Sequence, residues 1–197
     1  MREDEERTGD LRVRLVDVGV DLLDREGLGA LTLREIARRA GVSHGAPRRH
    51  FPTHLELLSA IAARGFADLA VIAATARGDG TDPARVQLDR LARAYVEFAL
   101  DRPGMYGLMF RHDLLESGHL GLRDTSLPLF GVLVDLVGRA APGADARVTA
   151  ASLWTGLHGI AQLWSWGSLQ LAIGADDFGP LLRTALDAHL GPEDGGR

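Results

Sequence analysis

Arg34, Arg38, Arg39, Arg48 and Arg49 fall within residues 34–51, opposed there by one carboxylate, Glu35, and joined by His44 and His50. A guanidinium is always charged, and its planar fork of donors matches phosphate oxygens or the O6/N7 edge of guanine. The local charge of +4 is therefore suited to binding an anion. From residue 52 onward 12 Arg face 17 acidic residues, so the rest of the chain repels phosphate. All 22 basic residues are Arg, and the whole chain carries −5. A small anion-binding head on an acidic body fits these charges better than a nonspecific nucleic-acid coat, which would be basic throughout.

Two other chemistries can be weighed from residue types. GVSHG (41–45) matches G-x-S-x-G, with Ser43 as nucleophile and Asp135 and His158 downstream in hydrolase order. That elbow needs a buried strand before the serine, whereas LREIARRA reads as a helix, so Ser43 is better explained as a helix cap. With no Cys among the 197 residues, thiolate zinc sites and disulfides are excluded. His44, His50 and His54 are split by Pro52 and do not converge on one ion, and His112 and His119 read as loop residues. No enzyme activity, metal or cofactor is expected.

The elements that must position the arginines are helical. Apolar residues recur at helical spacing and nothing alternates as a strand would. Leu11, Leu15, Val18 and Leu22 form one stripe that ends at Gly27 and Gly29. Thr32 and Glu35 have capping-box spacing before Leu33, Ile36 and Ala37, and Gly41 stops that helix. Ser43 opens a short helix to His50, and Thr53 with Glu56 opens a long one. ARGDGTDP (76–83) punctuates the chain, with Asp82 as cap and Pro83 at the first helical position. Further helices are expected over 103–110, 126–140, 145–172 and 176–190. The fold class is all-α, about nine helices, with no uninterrupted apolar run of the roughly 20 residues a membrane span needs. The acidic N-terminus is no secretory signal, so a soluble, cytoplasmic protein is expected.

Residues 33–50 have helix-turn-helix mechanics: two short helices joined by a turn at Gly41, the second one polar and basic. Together LTLREIARRAGVSHG, HF at 50–51 and ELLSAI in the following helix resemble the DNA-binding domain of the TetR family of bacterial regulators over about 50 residues. The resemblance implies a homeodomain-like three-helix head (8–52) whose third helix enters the major groove, and a helical ligand-binding and dimerisation body (53–191). Residues 1–7 and 192–197 are expected to lie outside the fold. Candidate DNA-contacting residues are Thr32, Ser43, His44, Gly45, Ala46, Arg48, Arg49, His50 and His54. Arg48 or Arg49 would read bases, while Gly45 and Ala46 keep the face low. Arg48 stands where the family usually has Tyr, His54 where it usually has Lys, and Pro47 lies inside the reading helix.

WTGLHG (154–159) resembles the Trp…His-Gly signature of one group of TetR C-terminal domains. By that likeness the last two long helices pair with those of a second subunit, with Trp164, Leu181, Leu182 and Leu186 in the contact. Tyr95, Phe98, Met105, Met109, Phe110, Trp154, His158 and Gln162 are candidates to line an apolar pocket, His158 or Gln162 serving as polar anchor. The glycines at 156, 159 and 167 are expected to allow close helix packing. The function implied is a homodimeric repressor on a palindromic operator of double-stranded DNA, released by a small apolar effector. The alternative is an all-helical small-molecule carrier with a degenerate helix-turn-helix.

Overall fold

The computed structural model describes residues 2–111 and 121–192, with side chains from Asp10 onward. His112, His119 and the tail from residue 193 lie outside the described residues. Among the described residues there are ten α-helices, a short 3-10 turn (Leu28–Ala30) and no strand. The chain divides into two compact units, Met1–Ala67 with Arg102–Thr125, and Asp68–Asp101 with Ser126–Arg197. The first unit therefore reaches beyond the head expected to end at residue 52.

The first unit contains α1 (Arg2–Glu26), α2 (Leu33–Arg39), α3 (Pro47–His50), the opening half of α4 (His54–Arg77) and α6 (Pro103–Met109). α1 begins at Arg2, N-terminal to the expected boundary at residue 8. Its stripe of Leu15, Leu22 and Leu23 is buried with Leu31, Ile36, Phe51, Leu57 and Ile61. Burying side chains of this size contributes about 1.5–3 kcal/mol each before the cost in chain entropy. Two glycines set the spacing between helices. A Cβ on Gly19 would stand 2.4 Å from Ile61 Cδ1, and one on Gly104 would stand 2.7 Å from the Leu23 carbonyl oxygen.

α4 is long and apolar enough, by length and composition, to cross a bilayer. Arg64 and Asp68 interrupt its apolar sequence, and half of the stretch is buried within the protein, as in the core helix of a folded domain.

The second unit is built on α5 (Ala84–Asp101), α7 (Leu122–Ala140, from Ser126 onward), α8 (Ala146–Ser165), α9 (Ser168–Ile173) and α10 (Gly179–Leu190). Leu88, Val96, Leu136, Leu153, Ala161 and Leu186 fill its core. Asp145 caps α8 by accepting from the N–H groups of Arg147 and Val148. α5 starts at Ala84, one residue after the expected Pro83. Instead of capping it, Asp82 pairs with Arg90 at 2.7 Å and offers its carbonyl to the buried Gln87 amide.

The expected helix 145–172 is two helices. Gly167 at φ 74° adopts the left-handed backbone that favours glycine, and the chain turns there before α9 begins. α7 begins at Leu122 rather than 126 and carries Pro128 inside it.

Candidate nucleic-acid interface

The head is assembled from local signals that each satisfy backbone groups. Thr32 caps α2 by accepting from the Glu35 N–H at 3.2 Å. Only half of the expected capping box forms: the Thr32 N–H bonds the Ala30 carbonyl, and the Glu35 carboxylate turns to the arginines. At the other end Gly41, at φ +67°, gives its N–H to Arg38 while Val42 reaches back to Ala37. These are the paired bonds of a Schellman ending, and they fix the angle at which the chain leaves α2.

The next turn closes from the Ala46 N–H to the Ser43 carbonyl, and α3 starts only at Pro47. Ser43 is therefore not the cap. Proline has no N–H to give and a preset φ, so it belongs at the first helical position, and that shortens the helix. Helix α2, not a strand, precedes Ser43, so the nucleophile-elbow geometry is missing.

Pro47 and Phe51 are buried, and the Arg12 guanidinium lies over the Phe51 ring at 5.0 Å. With that side turned inward, Arg48 and Arg49 project to solvent. Ser43, His44 and Gly45 are exposed with them, while Ala46 and His50 are partly covered. A Cβ on Gly45 would meet nothing within 4 Å, so that edge of the turn is bare.

The five arginines of the basic segment are not equivalent. Arg38 grips both oxygens of Glu35, with Nε at 2.8 Å and a terminal nitrogen at 2.5 Å. Arg39 donates from Nε to the same carboxylate at 2.8 Å and from its terminal nitrogen to Glu26. Hydrogen bonds from Arg38, and then from Arg39, lower the Glu35 pKa to about 2. Arg34, Arg48 and Arg49 are exposed, and each has no carboxylate partner among the described residues. Arg34 was not among the candidate contacts; its place at the first turn of α2, in the basic segment, was the available signal. His54, expected to touch phosphate, has its Nε2 against the Leu31 carbonyl, stapling the start of α4 to the residue before Thr32.

The remaining candidates divide between the units. In the first, Met105 and Met109 are fully buried against Gly65, and Phe110 meets the edges of Phe66 and Tyr106 at 5.8 and 5.0 Å. In the second, the Trp154 N–H donates to the Tyr95 hydroxyl at 3.1 Å, and that hydroxyl lies 3.0 Å from His158 Nδ1. Phe130 packs beside Trp154, and the His158 pKa is lowered by burial. Phe98 is core, and Gln162 is partly covered.

Three of the four residues expected between subunits are interior to the single chain: Trp164 is 8% exposed, Leu182 1% and Leu186 0%. Only Leu181 retains partial exposure. The outward apolar residues of α8 and its end are instead Val148, Leu163 and Trp166, exposed by 65%, 39% and 66%. Gly156 and Gly159 have open space at Cβ, so among the described residues no helix packs against them there.

Comparison with known proteins follows the same division. Residues 15–61 match the family model described as bacterial regulatory proteins, tetR family, and residues 88–188 match tetracyclin repressor-like, C-terminal domain. The chain is 40% identical over 52 residues to TtgW, an uncharacterized HTH-type transcriptional regulator of Pseudomonas putida. That match covers 26% of this chain and 39% of the relative. A protein of unknown function from Rhodococcus sp. RHA1 is similar in structure with a TM-score of 0.78 and 29% identity, covering 91% of this chain and 93% of that one. SCO1917, a TetR family member from Streptomyces coelicolor A3, shares the fold with a TM-score of 0.64 and 21% identity, over 91% of this chain and 98% of its own.

Proposed function

The chain belongs to the TetR family, and from that premise we propose that it is a ligand-responsive transcriptional regulator that binds operator DNA through α3 and its preceding turn. The observation that carries this reading is the two-sided α3. Pro47 and Phe51 anchor it inward, leaving Arg48 and Arg49 exposed and uncommitted to any carboxylate among the described residues. A major groove admits a helix, and an arginine fork can hold guanine O6 and N7 together. Arg34 at the start of α2 adds a backbone contact, which positions the head without reading sequence.

The regulator acts as a homodimeric repressor on a palindromic operator. Two heads about 34–36 Å apart meet successive major grooves. The subunits meet through the outward face of α8, where Val148, Leu163 and Trp166 flank the open glycines. The effector is a small, largely apolar molecule with a polar group that engages the Tyr95–His158 pair. It lowers DNA affinity by favouring a head spacing that the operator does not match.

The test is a binding series on duplex DNA from upstream of the protein's own coding region, with Arg48→Ala and Arg49→Ala beside the wild type. A base-reading arginine loses about 1–3 kcal/mol and relaxes the preference at one position, whereas a phosphate-binding one weakens all sequences alike. Binding unaffected by either substitution overturns the reading.

A further inference from the structure

The basic segment contains more guanidinium than it offers to a ligand. Arg38 and Arg39 stand against the carboxylates of Glu35 and Glu26, two positive charges against two negative, in a connected set running from the end of α1 through α2. Glu35 Oε1 receives both an Arg38 terminal nitrogen and Arg39 Nε, so one carboxylate fixes two heads. Its partners lie three and four residues on, where helical neighbours face one another. Arg34, Arg48 and Arg49 have no such restraint among the described residues.

We propose that Glu35, supported by Glu26, is a specificity-determining residue that withholds Arg38 and Arg39 from DNA phosphates. The inference rests on the DNA-binding reading above. An arginine that left Glu35 for a phosphate would expose an uncompensated carboxylate to a polyanion, so the exchange gains little. Non-specific binding is supplied almost entirely by the backbone term, whereas operator binding also draws on base contacts. Removing two cations from the phosphate-binding set therefore lowers non-specific affinity more than operator affinity and widens the ratio between them. Each basic segment then offers duplex DNA three of its five arginines.

The full-length protein is titrated onto a random-sequence duplex over a range of sodium chloride concentrations, as wild type, Glu35→Gln and the double variant Arg38→Gln/Arg39→Gln. Glu35→Gln keeps the side-chain size but removes the charge, so Arg38 becomes available while Arg39 keeps its bond to Glu26. The expected result is a salt slope steeper by about 0.9 for each arginine released, with roughly 8-fold tighter binding per phosphate engaged near 0.1 M salt. The double variant keeps the wild-type slope, and Arg34→Gln, the comparison, lowers it by about 0.9.

A wild-type slope in Glu35→Gln, or a reduced slope in the double variant, overturns this inference while leaving the DNA-binding reading intact. Failure of the wild type to bind any duplex at low salt overturns both. If Glu35→Gln loses its helical circular dichroism, the double variant decides alone.

Discussion

The Tyr95 hydroxyl lies 3.0 Å from the Nδ1 atom of His158. The same oxygen accepts the Trp154 indole N–H, so the hydroxyl bridges the two rings. Helices α5 and α8 thus share a polar relay. Replacing Tyr95 with Phe removes the bonding group while keeping the ring. The expected cost is about 1–3 kcal/mol, measured by urea unfolding followed by far-ultraviolet circular dichroism. Wild-type stability in that variant contradicts a structural role for the relay.

The same relay sets a pH dependence. Burial lowers the His158 pKa below its ordinary 6.5, so the unfolded chain takes up a proton before the folded one does. The stability tied to the neutral ring is complete above that range and falls as the pH drops below 6.5. Calorimetric scans across this interval should show a falling midpoint, and His158→Gln should flatten the trend.

Glu35 behaves in the acid range with its own window. Its folded-state pKa of about 2 is depressed from 4.5, so its contribution is present above 4.5 and is lost as the pH falls toward 2. Acid titration of Glu35→Gln, followed by helical circular dichroism, should lack this component. An identical acid profile would mean that the arginines do not hold the carboxylate in solution.

Glycines in the first unit divide by what surrounds them. Gly104→Ala drives a methyl group against the Leu23 carbonyl oxygen at 2.7 Å, a backbone atom that cannot rotate away. A loss of about 1–3 kcal/mol is expected from this overpacking. Gly45→Val, with nothing within 4 Å of the new Cβ, should leave the melting midpoint near wild type while weakening operator binding, because it raises the surface beside Arg48.

The exposed end of α8 is the place to test assembly. Trp166→Glu introduces a charge at a residue 66% exposed, so folding of the single chain is little affected. In light scattering coupled to size exclusion, the wild type should give twice the chain mass of 21.2 kDa and the variant a shift toward one chain. An unchanged mass excludes this face from the subunit contact.

Much of the head was legible because its signals are local. Thr32, Gly41 and Pro47 each act through one or two hydrogen bonds or one preset dihedral, so residue type and spacing suffice. A proline inside the reading helix can either bend it or delay its start, and the Ser43–Ala46 turn decides for the later start, at Pro47.

What spacing could not decide was the choice among competing partners. Glu35 has two arginines in reach, and the Thr32 N–H that a capping box would use is already bonded to the Ala30 carbonyl. Trp164, Leu182 and Leu186 have the apolar character of either core or interface, and only tertiary packing separates the two. The break at Gly167 was hidden because Gly156 and Gly159 remain helical while Gly167 takes a left-handed conformation.

All three tryptophans belong to α8 or its C-cap, and they experience different surroundings: Trp154 is in the relay, Trp164 in the core and Trp166 is largely exposed. The unit that carries the arginines contains no tryptophan. Intrinsic indole emission is therefore a private reporter of the second unit. Quenching by iodide would act first on Trp166, and an effector arriving at Tyr95 and His158 would change the Trp154 signal while the DNA-facing head stayed optically silent.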